Sequence, residues 1–394
     1  MRLLRGHPER RASSAPLPFL RAGSLIAFAV MSTAVMFPGE SAAAGPSAFS
    51  FGAAGDFGYS AAAQATFLSA GGAGLDFFLA MGDTTYDETS ESAWCSAFKS
   101  HVPHVLVEAG NHDTGENNGA DLGALLASCP YELAEPMTGR YGREWFFDYP
   151  AGAPLARLVL SGCGTSFNVD NQTTWACAAG NPHYQFVSDA IDGARAAGIP
   201  WVIVGMHKNC LSAGSKSCEI GSAFLNLLLD KKVDLILQGH DHLYERSKQL
   251  ACATPNVYRP ECIKDDGSDG RYAKGNGSVL MVLGMGGRSP YDFNTSDAEA
   301  GYFATGFATT YGLAKFTVNE SAVGVEFLRS AGGDDRDSFV IASPGAPPAP
   351  QPPPPSATNA TTPLADSLWF VVPAVGVTVA TVVALARRGK RRGR

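Results

Sequence analysis

Five times between residues 48 and 240, a short apolar run ends near a glycine with a polar side chain just beyond it. Ala48–Ala54 leads to Asp56, Leu75–Met81 to Asp83, Val105–Ala109 to Asn111, Trp201–Gly205 to His207, and Val233–Gln238 to His240. Runs that are apolar at successive positions, not alternate ones, are buried on both faces, as strands of parallel or mixed α/β sheets are. Helix-compatible stretches at 61–70, 183–197 and 222–230 lie between them. The steps from Asp56 to Asp83 and from Asp83 to Asn111 are each about one βαβ unit long. In such sheets function gathers at the carboxyl ends of the strands, so all five polar endings are expected on one edge. Further on, Val279–Leu283, Leu313–Val318, Ala322–Phe327 and Ser338–Ile341 read as antiparallel strands. Residues 120–180 and 250–275 read as loop-rich segments that wrap the sheet edges. The expected class is α/β (α+β).

With 45% hydrophobic and 17% charged residues the bulk is globular. The net charge of −7 hides basic ends around a strongly acidic middle. Such a body makes a poor nucleic-acid binder, because phosphate backbones demand clustered Lys and Arg. Residues 1–44 read as a signal peptide: a basic stretch, the apolar run Leu25–Phe37, then Ala42, Ala43 and Ala44 as a cleavage site. A body over 45–343 is followed by a Pro-rich linker at 344–366, which stays extended and acts as a stalk. Residues 367–386 read as a transmembrane helix, and the basic tail 387–394 fixes that end on the cytoplasmic side. The expectation is a single-pass type I membrane protein with its body extracellular or luminal. The eight cysteines all lie in the body and show no metal-type CxxC spacing. Pairing between neighbours (95–129, 163–177, 210–218, 252–262) closes the shortest loops. Sequons at Asn171, Asn276, Asn294, Asn319 and Asn359 allow glycosylation.

Singly, each polar ending is weak: a Gly-Asp turn, a helix cap, a buried core histidine. Together GDFG (55–58), GDTTY (82–86), GNHD (110–113), VGMH (204–207) and GHDHLYER (239–246) supply carboxylate, carboxylate plus phenol, amide, imidazole, and two imidazoles. Two ions roughly 3.5–4 Å apart need a bridging carboxylate among hard oxygen and borderline nitrogen donors. His101, His104 and His183 stand outside these motifs and read as structural.

This ordered set resembles the calcineurin-like metallophosphoesterases, and among them the purple acid phosphatases, over Gly55 to Arg246. The resemblance implies a four-layer α/β/β/α sandwich. It implies that Asp56, Tyr86 and His242 bind Fe(3+), that Asn111, His207 and His240 bind a divalent Zn, Mn or Fe ion, and that Asp83 bridges the two. It further implies phosphate-monoester hydrolysis by attack of a metal-bound hydroxide. In that scheme Asn111 and His112 contact the phosphate, and His112, aided by Asp113, protonates the leaving group. The second substrate histidine of some members is missing, and Lys208 follows His207 in its place as a candidate phosphate contact or a solvent-facing residue. The expected partners are a small phosphorylated substrate and, through the C-terminal helix, a membrane; no nucleic acid is expected. The same ligands would serve a phosphodiesterase or nucleotide hydrolase. A surface-displayed binding module that has lost turnover is the remaining alternative.

Overall fold

The computed structural model describes residues 48–115, 121–167 and 175–345. The signal peptide, nearly all of the linker, the transmembrane helix and the basic tail lie outside the described residues. Among those described, no helix is long and apolar enough to cross a membrane.

In chain order the elements are β1 (Ala48–Ala54), α1 (Ala61–Gly71), β2 (Phe77–Met81), α2 (Glu91–Lys99), β3 (Val105–Glu108), α3 (Leu122–Ser128), β4 (Met137–Arg140), β5 (Glu144–Tyr149) and β6 (Ala156–Ser161). Next come α4 (Pro182–Ala196), β7 (Trp201–Met206), α5 (Ser222–Asp230), β8 (Leu235–Gln238), β9 (Tyr244–Ser247), β10 (Gln249–Leu250), β11 (Ile263–Asp265), β12 (Arg271–Ala273) and β13 (Val279–Leu283). The last are β14 (Phe303–Phe307), β15 (Thr310–Asn319), β16 (Ala322–Gly332) and β17 (Ser338–Ala342).

The strands form two large sheets, ordered β12-β17-β16-β15-β1-β2-β3 and β14-β9-β13-β8-β7-β6-β5-β4. One apolar core lies between them, where Phe51 stacks on Phe77 and Phe316 and shares its cluster with Leu158, Ile203 and Met281 of the other sheet. A second core joins the first sheet to α1, α2 and α3 through Phe67, Trp94, Phe98 and Leu122. A third joins the second sheet to α4 and α5 through Val187, Ile191, Phe224 and Leu228. The layering is therefore α/β/β/α. It explains the unbroken apolar runs: each central strand meets the other sheet on one face and helices on the other. Helix starts follow their caps, with Ser60, Ser90, Asp121 and Asn181 accepting from first-turn N–H groups.

Three expectations are corrected. The five polar endings come from two sheets: β1, β2 and β3 run parallel in one, β7 and β8 in the other. Val279–Leu283 is a mixed strand, parallel to β8 and antiparallel to β9. Residues 120–180 hold α3 and the three strands β4 to β6, an antiparallel edge that widens the second sheet. The four disulfides are Cys95–Cys129, Cys163–Cys177, Cys210–Cys218 and Cys252–Cys262, the neighbour pairing. They fit an extracellular or secretory-pathway domain.

Candidate metal centre

Each turn that follows a central strand must deliver a side chain in a few residues, and the backbone is bent accordingly. Asp56 (φ 61°), Asp83 (φ 53°), Tyr86 (φ 51°) and His240 (φ 68°) all occupy the left-handed region. Non-glycine residues there cost conformational energy, and such residues cluster at functional sites. Gly82 is obligatory on two counts: its φ is 86°, and a Cβ there would stand 2.7 Å from the Gly110 nitrogen.

The structure brings all seven proposed ligands together, and all but the partly exposed Tyr86 are buried. On one side the Tyr86 hydroxyl donates to Asp56 Oδ1 (3.0 Å) and lies 2.9 Å from His242 Nε2. His242 Nε2 is 3.4 Å from Asp56 Oδ1. On the other side His207 Nε2 is 3.1 Å from Asn111 Oδ1 and 3.3 Å from Asp83 Oδ1. Donor atoms of Asp83, His207 and His240 all fall within 4.8 Å of one another. The turns are cross-tied, since the His240 N–H donates to Asp56 Oδ2 and the His112 N–H to Asp83 Oδ1, each at 2.8 Å.

The donor set suits cations. Each of the three histidines engages one ring nitrogen with an oxygen outside the cage and leaves the other for an ion. His207 Nδ1 meets Met81 O at 2.8 Å, His242 Nδ1 meets Ser289 O at 2.8 Å, and His240 Nε2 meets Glu219 Oε1 at 2.7 Å. Metal-bound imidazoles are held in this way. Electrostatics points in the same direction. Burial raises the Asp83 carboxyl, but the facing His207 outweighs it and holds the group well below the usual carboxylate range. Tyr86 is pushed well above its ordinary value, first by burial and then by the charges of Asp56 and Asp83. Burial lowers His207, but Asp83 outweighs that and lifts it to about 9.

The remaining candidates divide. His112 is partly exposed at the mouth of the cage, its ring 4.4 Å from that of Tyr86. Asp113, expected to aid His112 in proton donation, is fully buried and serves the backbone instead. Its Oδ2 accepts from the Asp83 and Gly110 N–H groups (2.7 and 2.8 Å), its Oδ1 from the Thr84 N–H and hydroxyl (2.9 and 2.6 Å). Lys208, expected at the substrate or in solvent, is also buried, and Glu219 Oε2 accepts from its ammonium at 2.8 Å. Burial leaves that ammonium needing a fixed counter-charge, and among the described residues Glu219 supplies one. His183 pairs with Glu144 and stacks on Trp175, a structural role.

Three residues were missed. Arg288 places its guanidinium over the Tyr86 ring (4.4 Å) and pairs with Glu88. Tyr291 stacks on the His242 ring at 4.1 Å. Both sit just after β13, whose ending Gly284-Met285-Gly286-Gly287-Arg288 repeats the strand-then-glycine unit a sixth time, a signal that was available. Glu219 has no comparable signature.

Residues 49–244 match the family model described as calcineurin-like phosphoesterase. "Probable inactive purple acid phosphatase 27" of Arabidopsis thaliana is 26% identical over 288 residues, covering 68% of this chain and 43% of that protein. "Fe(3+)-Zn(2+) purple acid phosphatase 12" of the same plant is 22% identical over 192 residues, 46% of this chain and 36% of that one. Among solved structures, purple acid phosphatase PPD1 from yellow lupin (Lupinus luteus) seeds superposes with a TM-score of 0.55 at 19% identity, over 75% of this chain and 54% of that chain; this likeness is one of fold. The chain spans less than half the length of the curated relatives it matches. With the five motifs in order and their side chains gathered at the meeting of two sheets, the chain belongs to the calcineurin-like phosphoesterases and is purple acid phosphatase-like among them.

Proposed function

We propose that this chain hydrolyses phosphoric esters at a two-ion centre, as an acid phosphatase acting on small phosphate monoesters. The observation that carries the proposal is the set of three histidines, each braced from outside, around the buried carboxylates Asp56 and Asp83. Asp56, Tyr86 and His242 are the ferric ligands, Asn111, His207 and His240 the ligands of a Zn, Mn or ferrous ion, and Asp83 reaches both groups. Bound there, the ions supply the positive charge the acidic body lacks and lower the pKa of a water for attack on phosphorus. The phenol of Tyr86 beside the Asp56 carboxylate (3.0 Å) offers a hard oxygen pair, which favours a ferric partner. Asn111 and His112 hold the phosphate oxygens as charge develops, and His112, open to the mouth, donates a proton to the departing alcohol. All seven ligand positions are intact, which favours turnover over a retired centre. The same proposal places the body outside a membrane that residues 367–386 enter, with no nucleic-acid partner.

His112→Ala should lower turnover of p-nitrophenyl phosphate by roughly 10²-fold or more with two ions retained. Steady-state kinetics beside elemental analysis checks this, and loss of ions in step with turnover would make His112 a structural residue. Tyr86→Phe should abolish visible absorption from a phenolate-to-iron transition, and an unchanged spectrum rejects the ferric assignment. A panel of p-nitrophenyl phosphate against bis(p-nitrophenyl) phosphate tests the substrate class. Higher kcat/KM on the diester would replace the monoester reading.

A further inference from the structure

Glu219 lies outside every motif, between the disulfide at Cys218 and helix α5. Its side chain is 31% exposed, yet both groups it grips are buried: the side chains of Lys208 and His240 are 4% and 6% exposed. Oε1 stands 2.7 Å from His240 Nε2 and Oε2 stands 2.8 Å from Lys208 Nζ. A carboxylate only accepts and an ammonium only donates. The pattern closes with Nε2 of His240 protonated and donating to Oε1, and Lys208 donating to Oε2. The neutral ring then carries its lone pair on Nδ1, the atom left for an ion.

The chain is arranged to hold Glu219 there. Lys208 lies two residues before Cys210 and Glu219 one residue after Cys218, so the Cys210–Cys218 bridge ties both ends of the loop that carries the pair. The Glu219 N–H also donates to Asn209 O at 2.9 Å. Lys208 thus anchors the carboxylate from beside the imidazole, its Nζ 2.8 Å from Oε2 and 3.3 Å from His240 Nε2.

We propose that Glu219 is a positioning residue for His240: it fixes the tautomer and ring orientation that present Nδ1 beside Asp83 and His207, so affinity for the divalent ion depends on a glutamate held by a disulfide-tied loop. The proposal rests on the two-ion reading above. Partners of this kind typically contribute about 10–100-fold in metal affinity.

The test uses the purified full chain, stripped of metal, loaded with one equivalent of Fe(3+) and titrated with Zn(2+) against a chelating dye. Wild type should take up one Zn(2+). Glu219→Gln should bind it about 10–100-fold more weakly while the visible band persists, and Glu219→Asp should recover part of the loss. Zinc affinity unchanged in Glu219→Gln would overturn the proposal. Equal loss of zinc and of the visible band would also overturn it, since that pattern reports general disruption. A wild-type chain that takes up no Zn(2+), Mn(2+) or Fe(2+) would remove the two-ion reading itself, and this inference with it.

Discussion

Asp83→Asn should reduce turnover of p-nitrophenyl phosphate by more than about 10³-fold, beyond the 10–100-fold typical of residues that only brace ligands, and should lower metal content below two ions per chain. Asp83 sits at the junction of the two ligand groups: Oδ1 lies 3.3 Å from His207 Nε2 and accepts from the His112 N–H at 2.8 Å. Its donor atom falls within 4.8 Å of those of His207 and His240, and its charge also bears on Tyr86. Asparagine is nearly isosteric, so packing survives, but one oxygen becomes an NH2 and the negative charge disappears. An amide cannot attract two cations at once, and its N–H groups face donors. The variant should still fold, but it loses the charge that faces His207 and keeps the Asp83 carboxyl below the usual carboxylate range, so metal-free Asp83→Asn should melt somewhat below metal-free wild type. What it should lose is the rise in Tm on adding metal, because that gain scales with the logarithm of ion concentration over Kd. Differential scanning calorimetry with and without metal, alongside kinetics, reads both effects. Retained turnover at full two-ion content would end the bridging role.

How much of this was legible in the sequence depends on how local each signal is. β1 and α5 were placed to the residue, because an unbroken apolar run before a glycine and an apolar run of helical spacing need no tertiary information. α2 was missed although its marks are present: Ser90 as cap, Glu91 in the first turn, Lys99 in the last, and Trp94, Cys95 and Phe98 buried at helical spacing. The small residues between them diluted its pattern. β5 and β6 look like loop in the sequence because cysteines and glycines flank them; their strand state comes from pairing with each other and with β7, and long-range pairing outweighs local propensity. The split of the five endings between two sheets could not be read from spacing, since a parallel neighbour in one sheet and a strand in the facing sheet leave the same apolar run. In the site, strand-end ligands were legible because position and chemistry coincide in the sequence. Partners from other loops were not: Glu219 meets His240 only after a disulfide-tied loop folds over, and Arg288 meets Tyr86 across 202 residues.

Asp113→Ala should cost about 3–5 kcal/mol of stability, and this sets it apart from its neighbour His112, whose loss should leave stability nearly unchanged. The Asp113 side chain points away from the mouth into a knot of four donors: the N–H groups of Asp83, Gly110 and Thr84 and the Thr84 hydroxyl, at 2.6–2.9 Å. Three of the four are backbone groups of the very turns that carry Asp83 and Asn111. Alanine leaves them buried without an acceptor, at about 1–3 kcal/mol each, with relaxation and entering water bringing the sum down to the stated range. A fall of about 5–8 °C in Tm of the metal-free protein is expected from that loss. With the turns loosened, Asp83 and Asn111 lose their alignment, so both ions should bind more weakly and turnover should fall as a consequence. Asp113→Asn separates charge from geometry: one amide oxygen can still accept from Thr84, but an NH2 now faces the Asp83 and Gly110 N–H groups, so most of the destabilisation should remain. Calorimetry on metal-free wild type, Asp113→Ala and His112→Ala decides between brace and proton carrier. If Asp113→Ala melts with wild type yet loses turnover with both ions bound, Asp113 acts in proton transfer and the bracing role is wrong.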